Sequence, residues 1–219
     1  MHTPSHPLRA LENGPPIKKK TFRPAELNRP DIQQARARWL QAISRVSHRR
    51  LLFLDESGAK TNMTRLYGRG PRGARVYDDV PHGRWETTTM IAAIGRNGPQ
   101  APWVLEGPMD GVAFSVWVEH VFAPTLQPTD IVIMDNLSVH RNTAACAAIK
   151  AAGAEIWPLP PYSHDLNPIE KMWSKIKAYL RKLKARDPES LFKAVGCAME
   201  QVTQHDVRNW FASCGYSLI

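Results

Sequence analysis

The sequence predicts an α/β fold in which a mixed sheet, antiparallel first and parallel later, is flanked by helices. Three observations lead there. Apolar runs at 51–58, 87–95 and 101–107 follow one another with no helical pattern between them. Later runs at 131–134 and 154–159 alternate with helical patterns, and the last third reads as helix almost throughout. Consecutive strands make meanders, whereas strands separated by helices make parallel crossovers.

Each element has its own signal. Residues 1–28 are rich in proline and basic residues, with Lys18, Lys19 and Lys20 in a row and no apolar period, as expected of a flexible arm. From 29 to 48, Ile32, Ala35, Trp39, Ile43 and Val46 share one helical face, with Asn28 as candidate cap and Pro30 in the first turn. "LLFLDESG" (51–58) reads as a central strand. "TRLYGRGPRGARVYDD" (64–79) sets Gly68, Gly70, Pro71 and Gly73 between β-prone pieces and predicts a hairpin. "TTTMIAAIG", "APWVLEG" and "IVIM" supply further strands, and "VAFSVWVEHVF" a helix that Pro124 ends. "TAACAAIKAAG" is a helix closed by Gly153, and "AEIWPL" the last strand. After "PLPPYSHDLNP" a long helix runs from Pro168 to Lys184, its stripe formed by Ile169, Trp173, Ile176, Leu180 and Leu183. A final helical segment covers 188–212. The expected organisation is an arm at 1–28, a linker helix at 29–48 and one domain at 49–219.

Composition narrows the function. The chain has 219 residues, with 29 Lys and Arg against 20 Asp and Glu, a formal charge of +9. That balance favours polyanions, nucleic acid first. No apolar run reaches the ~20 residues of a membrane span, and the first residues lack the apolar segment of a secretory signal. Three cysteines without metal-ligand spacing fit a reducing compartment. The expectation is a soluble cytoplasmic protein.

Three carboxylates stand out. Asp55 closes one apolar run and Asp135 closes another, and ligands of open α/β sheets gather beyond such strand ends. Asp is also a common turn residue after a strand. Glu170 lies beside the apolar stripe of the long helix. There Asn167, Pro168 and Glu170 also form a capping-box pattern, and the helix dipole favours an ionised acid in that turn. Converging acids in a basic chain call for a cation. Mg²⁺ takes oxygen ligands and is held by one or two carboxylates with water and phosphate. Two such ions about 3.5–4 Å apart serve in-line phosphoryl transfer. Glu56 points to the opposite strand face from Asp55 and the Asp78–Asp79 pair follows a turn, so both are set aside.

"LFLDESG", "IVIMDNLSVH" and "LPPYSHDLNPIEKMWSKIK" resemble the three signature blocks of DDE transposases, most nearly the bacterial insertion-sequence branch of the mariner-like superfamily. They fall in the family's order, and 34 residues separate Asp135 from Glu170, a spacing that family uses. The resemblance implies an RNase-H-like fold on a five-stranded sheet, with Asp55, Asp135 and Glu170 as catalytic metal ligands for two Mg²⁺ ions, Mn²⁺ substituting. It implies cleavage of double-stranded DNA at transposon ends and transfer of the 3′-hydroxyl ends to target DNA at TA, by a dimer bound to DNA at the nucleoid. His164 stands where the family has proline. About 50 residues precede the first strand, fewer than the helix-turn-helix region of relatives, so a catalytic half is expected, either the second of two reading frames, served by a separately encoded helix-turn-helix subunit, or a truncated copy. A related nuclease that cuts without joining, and an inactive or accessory DNA-binding fragment, are the alternatives.

Asn136 and His140 match the family's second block, near the scissile phosphate or in local hydrogen bonds. Lys171 and Lys175 on the long helix, and Arg69, Arg72 and Arg75 in the Gly-rich segment, are candidate DNA phosphate contacts or solvated cations. Trp85 and Trp103 suit core packing better than stacking on a base.

Overall fold

The structure is a computed structural model that describes residues 23–83 and 85–217. The run Lys18–Lys20 and most of the arm lie outside those residues; its end, Ala25–Asn28, forms a 3-10 turn.

Five strands make one sheet: β1 (Leu51–Lys60), β2 (Thr87–Gly95), β3 (Gly98–Glu106), β4 (Ile131–Met134) and β5 (Glu155–Pro158). Their order is β3-β2-β1-β4-β5. The pairs β1–β2 and β2–β3 are antiparallel, whereas β1–β4 and β4–β5 are parallel. This is the predicted meander followed by crossovers. Strand β1 is central and buried on both faces because its side chains alternate. Leu51 and Phe53 enter one core layer, and Leu52 and Leu54 enter the other.

The first layer lies under α4 (Pro168–Leu183), α5 (Pro188–Glu200) and α6 (Gln204–Ser213). Phe53 meets the rings of Phe211 and Tyr216 there, at centroid separations of 5.6 and 5.0 Å. The second lies under α2 (Gly111–Trp117) and α3 (Thr143–Ala151), with Phe114, Trp117 and Phe122 fully buried. Helix α1 (Pro30–Ile43) docks on the first layer through Trp39 and Ile43. No described helix is long and apolar enough to cross a membrane.

Several expectations need correcting. The Gly-rich segment is no hairpin: among the described residues no strand lies between Lys60 and Thr87, and 65–83 and 85–87 are exposed. Its apolar residues Leu66, Tyr67, Val76 and Tyr77 find no layer to cover, and a lone two-stranded hairpin is marginal in water. The segment is an excursion from the sheet, pinned at its neck by Thr61 N–H to the Glu86 carbonyl and at Asp78 by the Lys184 ammonium. Trp85 is 48% exposed rather than in the core, with the Lys60 ammonium over its ring; Trp103 packs partly buried on the second layer.

Arg29, not Asn28, holds the N-cap position of α1. The helix after Asp110 continues from α2 as a π-helical stretch, Val118–Phe122. The last segment breaks into α5 and α6 because Thr203 and Asp206 start a new helix with a capping box. On α4, Leu183 is exposed and Met172 takes a buried place in the stripe.

Candidate active site

The sheet itself brings the two aspartates together. Strands β1 and β4 are paired in parallel with Phe53 opposite Ile133, and two residues further on Asp55 stands level with Asp135. Neighbouring strands lie about 4.8 Å apart. The two acids therefore stand side by side, but Asp55 does not close its strand as expected: β1 continues past it to Lys60, paired with β2, whereas β4 stops at Met134, just before Asp135. After β5 the chain turns through Pro160, Pro161 and the 3-10 turn His164–Leu166 into α4, which delivers Glu170 from its first turn. Asp55, Asp135 and Glu170 line one cleft of about 360 Å³, together with Asn136, Leu137, Tyr162 and His164.

The turn that presents Glu170 is anchored from both ends of the chain. Arg36 of α1 forms a two-pronged ion pair with Asp165 at 2.8 and 2.7 Å and also donates to the Ser163 hydroxyl at 2.8 Å. The buried Tyr216 hydroxyl donates to the Leu166 carbonyl at 2.7 Å. The helix at 30–43 is thus part of the cleft's support. Asn167 occupies the N-cap position of α4, but its side chain makes no capping bond, so the expected capping box does not form. The Glu170 carboxylate instead faces His164, whose Nδ1 lies 3.3 Å away. The residue that replaces the family's proline therefore touches the third acid.

Charge is distributed unevenly. Burial, followed by repulsion from Glu170 and Glu56, pushes the Asp55 carboxyl up to about 8. Burial also opposes ionisation of Asp135. There the hydrogen bonds from His140 and the Leu137 N–H prevail, and its pKa stays below the usual range. His140 is 2% exposed. Burial disfavours its charge, but hydrogen bonds to Asp135 and Glu56 outweigh this and raise it to about 10. The ring is an imidazolium that donates to Asp135 Oδ1 at 2.7 Å and Glu56 Oε2 at 2.8 Å.

The other expected contacts fall in varied places. Asn136 spends its side-chain N–H on the Leu159 carbonyl at 2.9 Å, joining the ends of β4 and β5. Lys175 forms an ion pair with Asp206, and Lys171 is half-buried near Cys214. Arg69, Arg72 and Arg75 are exposed on the excursion and do not line the cleft. Glu56, set aside in the sequence, does point away from Asp55, yet it reaches His140. Arg36 carried no signal beyond its place on a polar helix face.

The donor set suits a hard divalent cation. Among the described residues no three His, Cys, Asp or Glu side chains are grouped to hold a single ion. Mg²⁺ needs only one or two carboxylates when water and phosphate complete its shell. Asp55 and Asp135 form such a pair, and Glu170 borders the same cleft. Burial and the charges of Glu170 and Glu56 push the Asp55 carboxyl up, and a cation beside it would relieve that like charge.

Known proteins share the family and the fold. A profile of the DDE superfamily endonucleases matches residues 50–191. The fold is similar to that of Mos1 transposase in a paired-end complex with the left transposon end, with TM-score 0.72 and 16% identity over 93% of this chain and 64% of that one. It is also similar to the catalytic domain of Mos1 mariner transposase (TM-score 0.63, 15% identity, 89% of this chain and 91% of that one). The same holds for that domain with Raltegravir and Mg (TM-score 0.60, 12% identity, 84% and 89%). The chain spans 64% of the length of the transposase in the first of these structures. No curated protein matches it. Profile and sheet together show that the chain belongs to the DDE superfamily of endonucleases and has the RNase-H-like fold of the mariner transposase catalytic domain.

Proposed function

We propose that the chain catalyses cut-and-paste DNA transposition, with Asp55, Asp135 and Glu170 holding two Mg²⁺ ions. The observation that carries this reading is that the three acids of three distant sequence blocks border one cleft. Bound there, divalent ions would supply charge stabilisation for an attacking and a leaving oxygen. In cleavage, a water oxygen attacks a phosphorus at the transposon end, the bond to the 3′-oxygen breaks, and that oxygen leaves as a hydroxyl. In joining, the freed 3′-hydroxyl attacks a target phosphodiester at TA and displaces another 3′-oxygen. Cleavage consumes one water and one phosphodiester, whereas joining makes one phosphodiester for each one broken.

The protein's own groups have distinct work. Asp55 and Asp135 set the floor of the cleft, and Glu170 closes it from the helix. The Arg36–Asp165 pair and Tyr216 hold the turn that aims Glu170. Arg69, Arg72 and Arg75 on the exposed excursion, together with Lys171, would meet DNA phosphates outside the cleft, which would fix the duplex without reading its sequence. Two chains act together on paired ends, with a helix-turn-helix subunit recognising them.

The test is incubation with Mg²⁺, plasmid and DNA ends already bearing free 3′-hydroxyls. A transposase inserts those ends; a nuclease only nicks the plasmid. Asp135→Ala is expected to abolish cleavage and joining while DNA binding persists. Cleavage at the wild-type rate in that variant rejects the proposal.

A further inference from the structure

We propose that Glu56 and His140 are positioning residues that fix Asp55 and Asp135 as one unit, each presenting one free carboxylate oxygen to the cleft. This rests on the reading of the cleft as the cleavage site.

Four hydrogen bonds carry the inference. The Glu56 N–H donates to Asp55 Oδ1 at 2.9 Å. Its carboxylate Oε2 lies 2.8 Å from His140 Nε2, and His140 Nδ1 lies 2.7 Å from Asp135 Oδ1. The Leu137 N–H completes that oxygen at 2.9 Å. One residue therefore grips Asp55 through its backbone and Asp135 through an imidazole.

Alternation along a strand explains why residue 56 can do this. Its amide sits beside the Asp55 carboxylate, while its side chain passes to the opposite face, where His140 lies against the Phe114 ring at a centroid separation of 5.0 Å. The three of these bonds that reach an aspartate all fall on Oδ1. Among the described residues nothing hydrogen-bonds either Oδ2, and both aspartates line the cleft. Glu56 is itself sheltered, its side chain 14% exposed. Carboxylates that ligate metals are commonly oriented by hydrogen bonds from partners behind them, and loss of such a partner costs about 10–100-fold in metal affinity or activity.

The experiment measures Mn²⁺ affinity by electron paramagnetic resonance and Mn²⁺-dependent DNA cleavage. The proteins are the wild type, Glu56→Ala, Glu56→Gln, His140→Asn, the Glu56→Ala/His140→Asn double variant and Asp135→Ala. Thermal melting checks that each is folded. Glu56→Ala and His140→Asn should each weaken Mn²⁺ binding by about 10-fold or more. The Mn²⁺ concentration for half-maximal cleavage should rise by the same factor, with a much smaller loss of rate at saturation. The double variant should be little worse than the weaker single one, because both break one chain of contacts. Glu56→Gln keeps an oxygen acceptor for His140 and should restore most of the affinity. Lower melting temperatures with unchanged Mn²⁺ affinity would overturn the proposal and leave a purely structural staple. Wild-type Mn²⁺ binding and cleavage in Asp135→Ala would instead overturn the reading of the cleft itself.

Discussion

Asp55 and Asp135 are the same residue at the same level of adjacent parallel strands, yet they differ in protonation. Asp55 is pushed up to about 8 by burial and by the charges of Glu170 and Glu56. Asp135 is also desolvated, but His140 and the Leu137 N–H keep it ionised. Backbone topology sets where an acid emerges; its neighbours set whether it carries charge there. The environment thus favours charge on Asp135 and disfavours it on Asp55.

The largest test of the contrast is catalytic. Asp55→Ala and Asp135→Ala should each lower Mg²⁺-dependent cleavage by on the order of 10³-fold or more, measured on end-containing DNA; a surviving activity in one alone would break the symmetry of role. Stability should then separate the two. Asp55 has a folded pKa of about 8 against 3.8 when unperturbed. In that window the folded state keeps a proton that the unfolded chain has lost, so metal-free stability falls as pH rises. Asp55→Asn should flatten the slope, at most about 1.4 kcal/mol per pH unit, and raise the melting temperature at pH 8.

The same change at residue 135 should act in the opposite direction. Asp135→Asn strips a charge from the His140 imidazolium and should destabilise the protein by about 1–3 kcal/mol at neutral pH. That is less than a fully buried pair would lose, because Asp135 opens onto the cleft. Chemical denaturation of both asparagine variants checks the reversal of sign. The smallest effect is expected from Asn136→Ala, which leaves the Leu159 carbonyl without its donor at a cost of about 1 kcal/mol. It should loosen Asp135 without altering Asp55, and Mn²⁺ affinity measured alongside stability shows whether it does.

Much of this was legible before any coordinates. Apolar runs gave all five strands, most plainly β1, β2 and β4, because a strand buried on both faces has little freedom of composition. The three signature blocks marked the acids that share the cleft. The excursion after β1 was misread since alternating β-prone residues say nothing about whether a layer exists to cover them. Glu56 was set aside by a sound argument about strand faces. The other face carries His140, which comes from 84 residues away along the chain. Arg36 was equally hidden: an arginine on a polar helix face looks solvated until the helix docks beside Asp165. Long-range polar pairs leave no local pattern, whereas burial does.

Anomalous diffraction from crystals grown with Mn²⁺ tests the central claim most directly. The account predicts a manganese peak bonded to oxygens of Asp55 and Asp135, with Glu170 bordering the same density. Manganese bound only elsewhere, with those three side chains well ordered and unliganded, would contradict it.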